Sequence, residues 1–200
     1  MTDRFRRIAV VGGIAVGKST MVEALYNRLE GCQVILEDVS QNAFLEDFYE
    51  DMLKWGFHSR VSTLSMITAN YLSCDTQKYK YAIFDRCVDE LITFAQMHYE
   101  RGNMTQREFG VYKSLYQSIV SITPPIDLFV YCKCSPQTSL ERIRKRNRPF
   151  EQNIDASYLV DLNTHYENWL NTVDARRIEI VNTDIAIDYD QIESIVMRHT

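Results

Sequence analysis

A chain of 200 residues, 46% hydrophobic and 24% charged, is long enough to bury one sizeable core and is expected to form a single domain over residues 1–200. Its formal net charge of −5 argues against a nucleic-acid partner held by bulk electrostatics. No apolar run approaches the roughly 20 residues that span a bilayer, so a soluble, cytoplasmic protein with no membrane partner is expected.

In chain order, the first apolar run, 8–11, follows Arg4, Arg6 and Arg7 in the manner of a secretory leader, but it leads directly into a glycine-rich loop and so reads as a buried strand. A helical pattern over 21–29 comes next. Further short runs rich in β-branched or aromatic residues occur at 34–36, 81–84, 128–132 and 178–181, separated by segments of helical periodicity. Thr105 with Glu108 forms a capping box, and Ser135-Pro136 opens the helix that carries Arg142, Arg144, Lys145 and Arg146, with Arg148 beyond. Tyr158, Leu162, Tyr166 and Trp169 recur at helical spacing and predict a buried stripe. Cys32, Cys74, Cys87, Cys132 and Cys134, odd in number and scattered, fit neither a disulfide framework nor a zinc site and read as reduced thiols. The alternation predicts an α/β protein with a parallel five-stranded sheet flanked by helices, its strands buried on both faces.

Gly12-Gly13-Ile14-Ala15-Val16-Gly17-Lys18-Ser19, followed by Thr20, matches G-x-x-x-x-G-K-[ST] between the first strand and the first helix, the context a P-loop requires. Glycines let successive backbone N–H groups turn toward phosphate oxygens, and the helix N-terminus adds the positive end of its dipole. Lys18 would hold the β- and γ-phosphates of ATP, and Ser19 would ligate Mg²⁺. No N-K-x-D guanine motif accompanies the loop, which weakens a GTPase reading.

Phosphoryl transfer to a hydroxyl needs a carboxylate near the attacking oxygen, a Mg²⁺ site and cations over the migrating group. Glu37 follows the second strand and Asp85-Arg86 the third, at the carboxyl ends where an open parallel sheet presents its site. Helical spacing puts Arg142 and Arg146 on one face, with Arg148 further round, as a phosphate clamp.

These residues carry a resemblance to the deoxynucleoside kinases that runs through nearly the whole chain. It includes residues 12–20, Glu37-Asp38-Val39, the stretch 44–49 with Trp55-Gly56-Phe57-His58, Asp85-Arg86-Cys87, and 140–148 with Glu151. The resemblance implies a P-loop NTPase fold with an arginine-rich lid, ATP and Mg²⁺ as cofactors, a nucleoside substrate and a homodimer. It makes Glu37 the general base for the sugar 5′-hydroxyl, Arg86 its neighbour on the transferring group, and Asp85 a holder of Mg²⁺. Tyr49 and Glu151 would bind the sugar 3′-hydroxyl, and Arg142, Arg146 and Arg148 would be the lid arginines.

Departures cluster at the base. The family's base-binding Gln aligns with Arg60 and a later Arg with Ile67, while Glu90, or Asp89, stands for the family's Asp. Arg60 offers donors only and would meet base acceptors, a substrate phosphate or Glu90. Three functions stay open on sequence: a deoxynucleoside kinase, a kinase of nucleoside monophosphates or an unusual nucleoside, and a non-catalytic nucleotide-binding subunit.

Overall fold

A computed structural model describes residues 5–199; Arg4 lies outside the described residues. Five strands, β1 (Arg6–Val11), β2 (Cys32–Ile35), β3 (Tyr81–Asp85), β4 (Leu128–Lys133) and β5 (Ile178–Asn182), form one sheet in the order β2-β3-β1-β4-β5. Every pairing is parallel. Around it lie α1 (Lys18–Tyr26), α2 (Leu45–Glu50), α3 (Met52–Leu72), α4 (Leu91–Glu100), α5 (Gln106–Ile122), α6 (Pro136–Arg146), α7 (Ala156–Leu170) and α8 (Tyr189–His199). No helix among the described residues is long and apolar enough to cross a membrane.

Alternation along the central strands divides the core. Ile8 and Val10 face one side of the sheet, with Ile83, Leu128, and Met21 and Leu25 of α1. Ala9 and Val11 face the other, with Phe84, Phe129, Phe94 of α4 and Leu162 of α7. The continuous apolar runs of β1, β3 and β4 are therefore covered on both faces, as their composition predicts. The edge strands depart from that expectation. Ile180 of β5 is 62% exposed, because a strand with a neighbour on one side only also loses helix cover at its margin.

Local signals account for the helix ends. Glu108 and Thr105 exchange the two bonds of a capping box at α5, Ser135 caps α6 ahead of Pro136, and Asp51 caps α3. Helix α1 begins at Lys18 rather than at 21 because Gly17, at φ 94°, turns the chain from loop into helix without a side-chain cap. The aromatic stripe of α7 is buried along Tyr158, Leu162, Tyr166 and Trp169. All five cysteines are free thiols, and only Cys74 is partly exposed.

Gly56, inside α3, lies against the backbone of Asn103, where a Cβ would stand 2.5 Å from the carbonyl oxygen. Alanine is favoured over glycine in a helix interior by about 1 kcal/mol, whereas overpacking against backbone costs about 1–3 kcal/mol. Gly56→Ala should therefore lower stability in urea unfolding, by up to about 2 kcal/mol. A more stable variant would mean that the 102–104 segment yields to the added methyl.

Candidate active site

The strand order brings three loops together. Because β3 lies between β2 and β1, Asp85 at the end of β3 and the residues that follow these strands, Glu37, Arg86 and Gly12, emerge side by side at the carboxyl edge of the sheet. The loop after β1 takes left-handed backbone at Gly12 (φ 142°), Ala15 (φ 56°) and Gly17 (φ 94°). A side chain at Gly12 would also place its Cβ 2.6 Å from the Cys132 carbonyl oxygen, so the loop can lie this close to β4 only with glycine there. Ala15 holds a conformation costly for a residue with a Cβ, the kind of local strain that gathers at functional loops.

Lys18 is buried, and its ammonium donates to the carbonyls of Gly12 (3.2 Å) and Gly13 (2.7 Å). Burial, reinforced by the charge of Arg86, pulls its pKa down, while Asp85, Glu37 and Glu90 oppose that shift. A cation so desolvated gains strongly from an incoming phosphate.

Arg86 is the hub of the site. It too is left-handed, at φ 73°, and its backbone N–H donates to Val10 O at 3.1 Å. Its Nε donates to Glu37 Oε2 at 2.8 Å, and its Nη1 donates to the Tyr166 hydroxyl at 3.2 Å and to Gly12 O at 3.4 Å. Burial works against the guanidinium charge, but Glu37, Tyr166 and Glu90 outweigh it and lift its pKa further. At Glu37 burial alone would raise the pKa; the charge and hydrogen bond of Arg86, with Lys18 and Arg60, reverse this and hold it low. Glu37 is therefore an ionised carboxylate at neutral pH.

Asp85 Oδ2 accepts the Ser19 hydroxyl at 3.0 Å, while the buried Oδ1 has no partner. A hydroxyl oxygen beside an unsatisfied carboxylate oxygen fits Mg²⁺, which takes one or two carboxylates and completes its shell with phosphates and water. Among the described residues no group of three or more His, Cys, Asp or Glu could hold a metal ion.

Glu37, Lys18, Ser19, Asp85, Tyr49 and Arg60 line one cleft, together with Arg146, Arg148 and Glu151. Glu151 is buried and accepts from Arg146 Nη2 at 2.5 Å and from Arg148 Nη1 at 3.3 Å. Tyr49 is stacked on Phe150, ring centres 5.5 Å apart. Arg142 separates from Arg146 despite their shared helix face. Its guanidinium turns to Thr183, donating to the carbonyl at 2.5 Å and to the hydroxyl at 3.2 Å, and reaches Ala15 O at 3.5 Å.

The expected base contact, Glu90 or else Asp89, lies elsewhere. Glu90 is fully buried behind the loop, where Oε2 accepts from Gly12 N at 3.2 Å and from the Tyr166 hydroxyl, and Oε1 lies 3.6 Å from Arg86 Nη1. Burial pushes its pKa up against the pull of Arg86 and Lys18. Neither Glu90 nor Asp89 lines the cleft, and Ile67 is core. Conversely, Tyr158 does line it, and Tyr166 binds both Arg86 and Glu90, although their periodicity reads only as packing. The signal that distinguishes them is a hydroxyl on an otherwise apolar stripe, which needs a buried partner.

The family model described as "Deoxynucleoside kinase" matches residues 8–199. The deoxyadenosine/deoxycytidine kinase of Bacillus subtilis is 32% identical over 94% of this chain and 89% of its own length. The deoxyadenosine kinase of Dictyostelium discoideum is 30% identical over 94% of this chain and 77% of its own. Among solved structures, deoxyadenosine kinase from M. mycoides with bound dCTP superposes with a TM-score of 0.82 at 26% identity, covering 96% of this chain and 97% of that one. A P-loop beside a carboxylate, an arginine and a half-satisfied aspartate is what such a kinase needs, and the chain belongs to the deoxynucleoside kinase family, an ATP-dependent phosphotransferase.

Proposed function

We propose that Glu37 accepts the 5′-hydroxyl proton of a deoxynucleoside bound in the cleft while the γ-phosphoryl group of ATP moves to that oxygen. The observation that carries this reading is the 2.8 Å bond from Arg86 Nε to Glu37 Oε2, which holds an ionised carboxylate beside Lys18, Ser19 and Asp85. As the proton passes to Glu37, the new O–P bond forms and the bond from the γ-phosphorus to the bridging oxygen breaks, releasing ADP. Residues Gly12 to Thr20 cradle the phosphates, Lys18 follows the γ-phosphate, and Arg86 keeps Glu37 aimed. Ser19 and Asp85 would hold Mg²⁺, which supplies charge neutralisation between the β- and γ-phosphates when bound.

Tyr49 and Glu151 are the proposed sugar ligands, and Arg146 and Arg148 the proposed lid arginines over the migrating group. Arg142 braces the loop through Ala15 O instead of reaching the cleft. Glu90 acts as a positioning residue beneath Gly12. A homodimer packed through helices is proposed on the exposed Val111, Leu115 and Ile122, which share one face of α5. The single domain, the cytoplasmic location and the lack of nucleic-acid and membrane partners belong to the same proposal.

Glu37→Gln should lower phosphate transfer from Mg²⁺-ATP to deoxynucleosides by about a hundredfold to ten-thousandfold while nucleotide binding persists. Full activity in the variant would remove Glu37 from the mechanism. Since Glu37 is held below the ordinary value of 4.5, kcat/KM should stay level from neutrality down to that value and fall only when the carboxylate takes up a proton below it. An acid limb near pH 7 would assign the proton acceptor to another group.

Tyr166→Phe takes a donor from Glu90 and an acceptor from Arg86. It should cost about 1–3 kcal/mol in urea unfolding and slow turnover by loosening the Arg86–Glu37 pair. Wild-type stability and rate together would show that this hydroxyl supports nothing.

A further inference from the structure

Arg60 is only 8% exposed, yet among the described residues its guanidinium makes no ion pair. Its face is covered by Phe48 and Phe94, with ring centres 5.0 and 5.3 Å away, and its one protein hydrogen bond runs from a terminal nitrogen to Ser59 Oγ at 3.2 Å. Nε is buried without a partner, and the side chain lines the cleft. A buried guanidinium with idle donors is costly unless something completes it. With the two rings packed around it, its donors are what it can offer a ligand in the cleft.

The groups around Arg60 leave that need unmet. Tyr49, Tyr112, Tyr158 and His98 lie close enough to feel its charge, and burial keeps all four neutral. Glu37, the anion in its reach, is already engaged by Arg86. The role of the Tyr158 hydroxyl is set by a tautomer. Asn103 Nδ2, which can only donate, lies 3.2 Å from His98 Nδ1, so this nitrogen accepts and the single imidazole proton sits on Nε2. Nε2 lies 3.1 Å from the Tyr158 hydroxyl, which therefore accepts from His98 and must donate its own proton elsewhere. Tyr158 is among the residues that line the cleft.

Given the kinase reading above, we infer that Arg60 and Tyr158 form a donor-only wall that selects a 6-oxopurine deoxynucleoside, with the Arg60 fork on the adjacent O6 and N7 acceptors. Planar, bidentate pairing of a guanidinium with O6 and N7 is the favoured match between arginine and guanine. Adenine sets an amino donor beside N7, and the outer edge of cytosine ends in an amino donor, so each would face Arg60 donor to donor. A substrate phosphate would also accept from the fork. Phe94 packs on Arg60, however, and Met66 and Leu91 line the same cleft, apolar surface that suits a flat ring rather than a hydrated dianion.

The test compares kcat/KM for deoxyguanosine, deoxyinosine, deoxyadenosine, deoxycytidine, 7-deazadeoxyguanosine and dGMP at saturating Mg²⁺-ATP, in the wild type and Arg60→Gln. Deoxyguanosine and deoxyinosine should exceed deoxyadenosine and deoxycytidine by about tenfold or more. Loss of N7 in the deaza analogue should lower kcat/KM, chiefly through KM, and Arg60→Gln should narrow or reverse the base ratio because an amide both donates and accepts. Equal or better use of deoxyadenosine or deoxycytidine by the wild type overturns the inference, as does an unchanged ratio in folded Arg60→Gln. Transfer to dGMP and to no nucleoside would put a phosphate at Arg60 and overturn it as well. If Arg60→Gln fails to fold, the wild-type series with the deaza analogue decides. If nothing is phosphorylated, the kinase reading fails separately. Calorimetric titration of deoxyguanosine against deoxyadenosine in the presence of ADP then judges the base preference, which preferential binding of deoxyguanosine upholds and equal binding overturns.

Discussion

Arg86 ties the ends of three strands to one buried charge. Its backbone bonds β1 at Val10 and its guanidinium joins Glu37 after β2 to Gly12 after β1 and Tyr166 on α7. A buried cation left without partners is far more costly than the bonds it makes are stabilising, so the arrangement holds only while every partner is present. The left-handed backbone at Arg86 is part of that constraint: it turns the side chain back over the loop instead of along the strand axis. Burial depresses Lys18, and the same charge that fixes Glu37 adds to that shift, so carboxylate and phosphate-binding ammonium both feel one group.

What could be read in the sequence was whatever depends on near neighbours. Strands β1 to β5, the capping box of α5 and the Ser135-Pro136 start of α6 are local patterns, and the P-loop is a local pattern with a local partner helix. Glu37 and Arg86 were legible because a parallel sheet exposes its strand ends. Glu90 was not, since its role rests on Gly12, 78 positions away in the chain, and on Tyr166, 76 positions away. Arg142 and Arg146 share a helix face by periodicity, but Thr183, beyond β5, draws the first aside, and no helical wheel contains Thr183. Gly56 looks like a weak point in a helix until Asn103 is seen against it.

Glu151 shows how one carboxylate can serve two proposed tasks. Buried and bound by Arg146 and Arg148, it neutralises the cations that would otherwise repel each other across the mouth of the cleft. In the proposed mechanism these arginines turn to the phosphates when ATP arrives, which releases carboxylate oxygens toward the sugar. Nucleotide and nucleoside would then favour each other's binding through a shared ion pair, with closure that excludes water as the outcome.

Base reading and chemistry are coupled in the same way. Arg60 contributes to the low pKa of Glu37, although it makes no bond to it. A guanidinium chosen to meet acceptors on the base therefore weakens the proton acceptor at the other end of the substrate. Replacing Arg60 with a neutral amide would change the base preference and remove only the smallest part of the restraint on Glu37, which Arg86 and Lys18 keep in place. In the proposed reading the two ends of the substrate are held by charges that feel one another across a poorly solvated space, Arg60 adding the smaller part and Arg86 the larger.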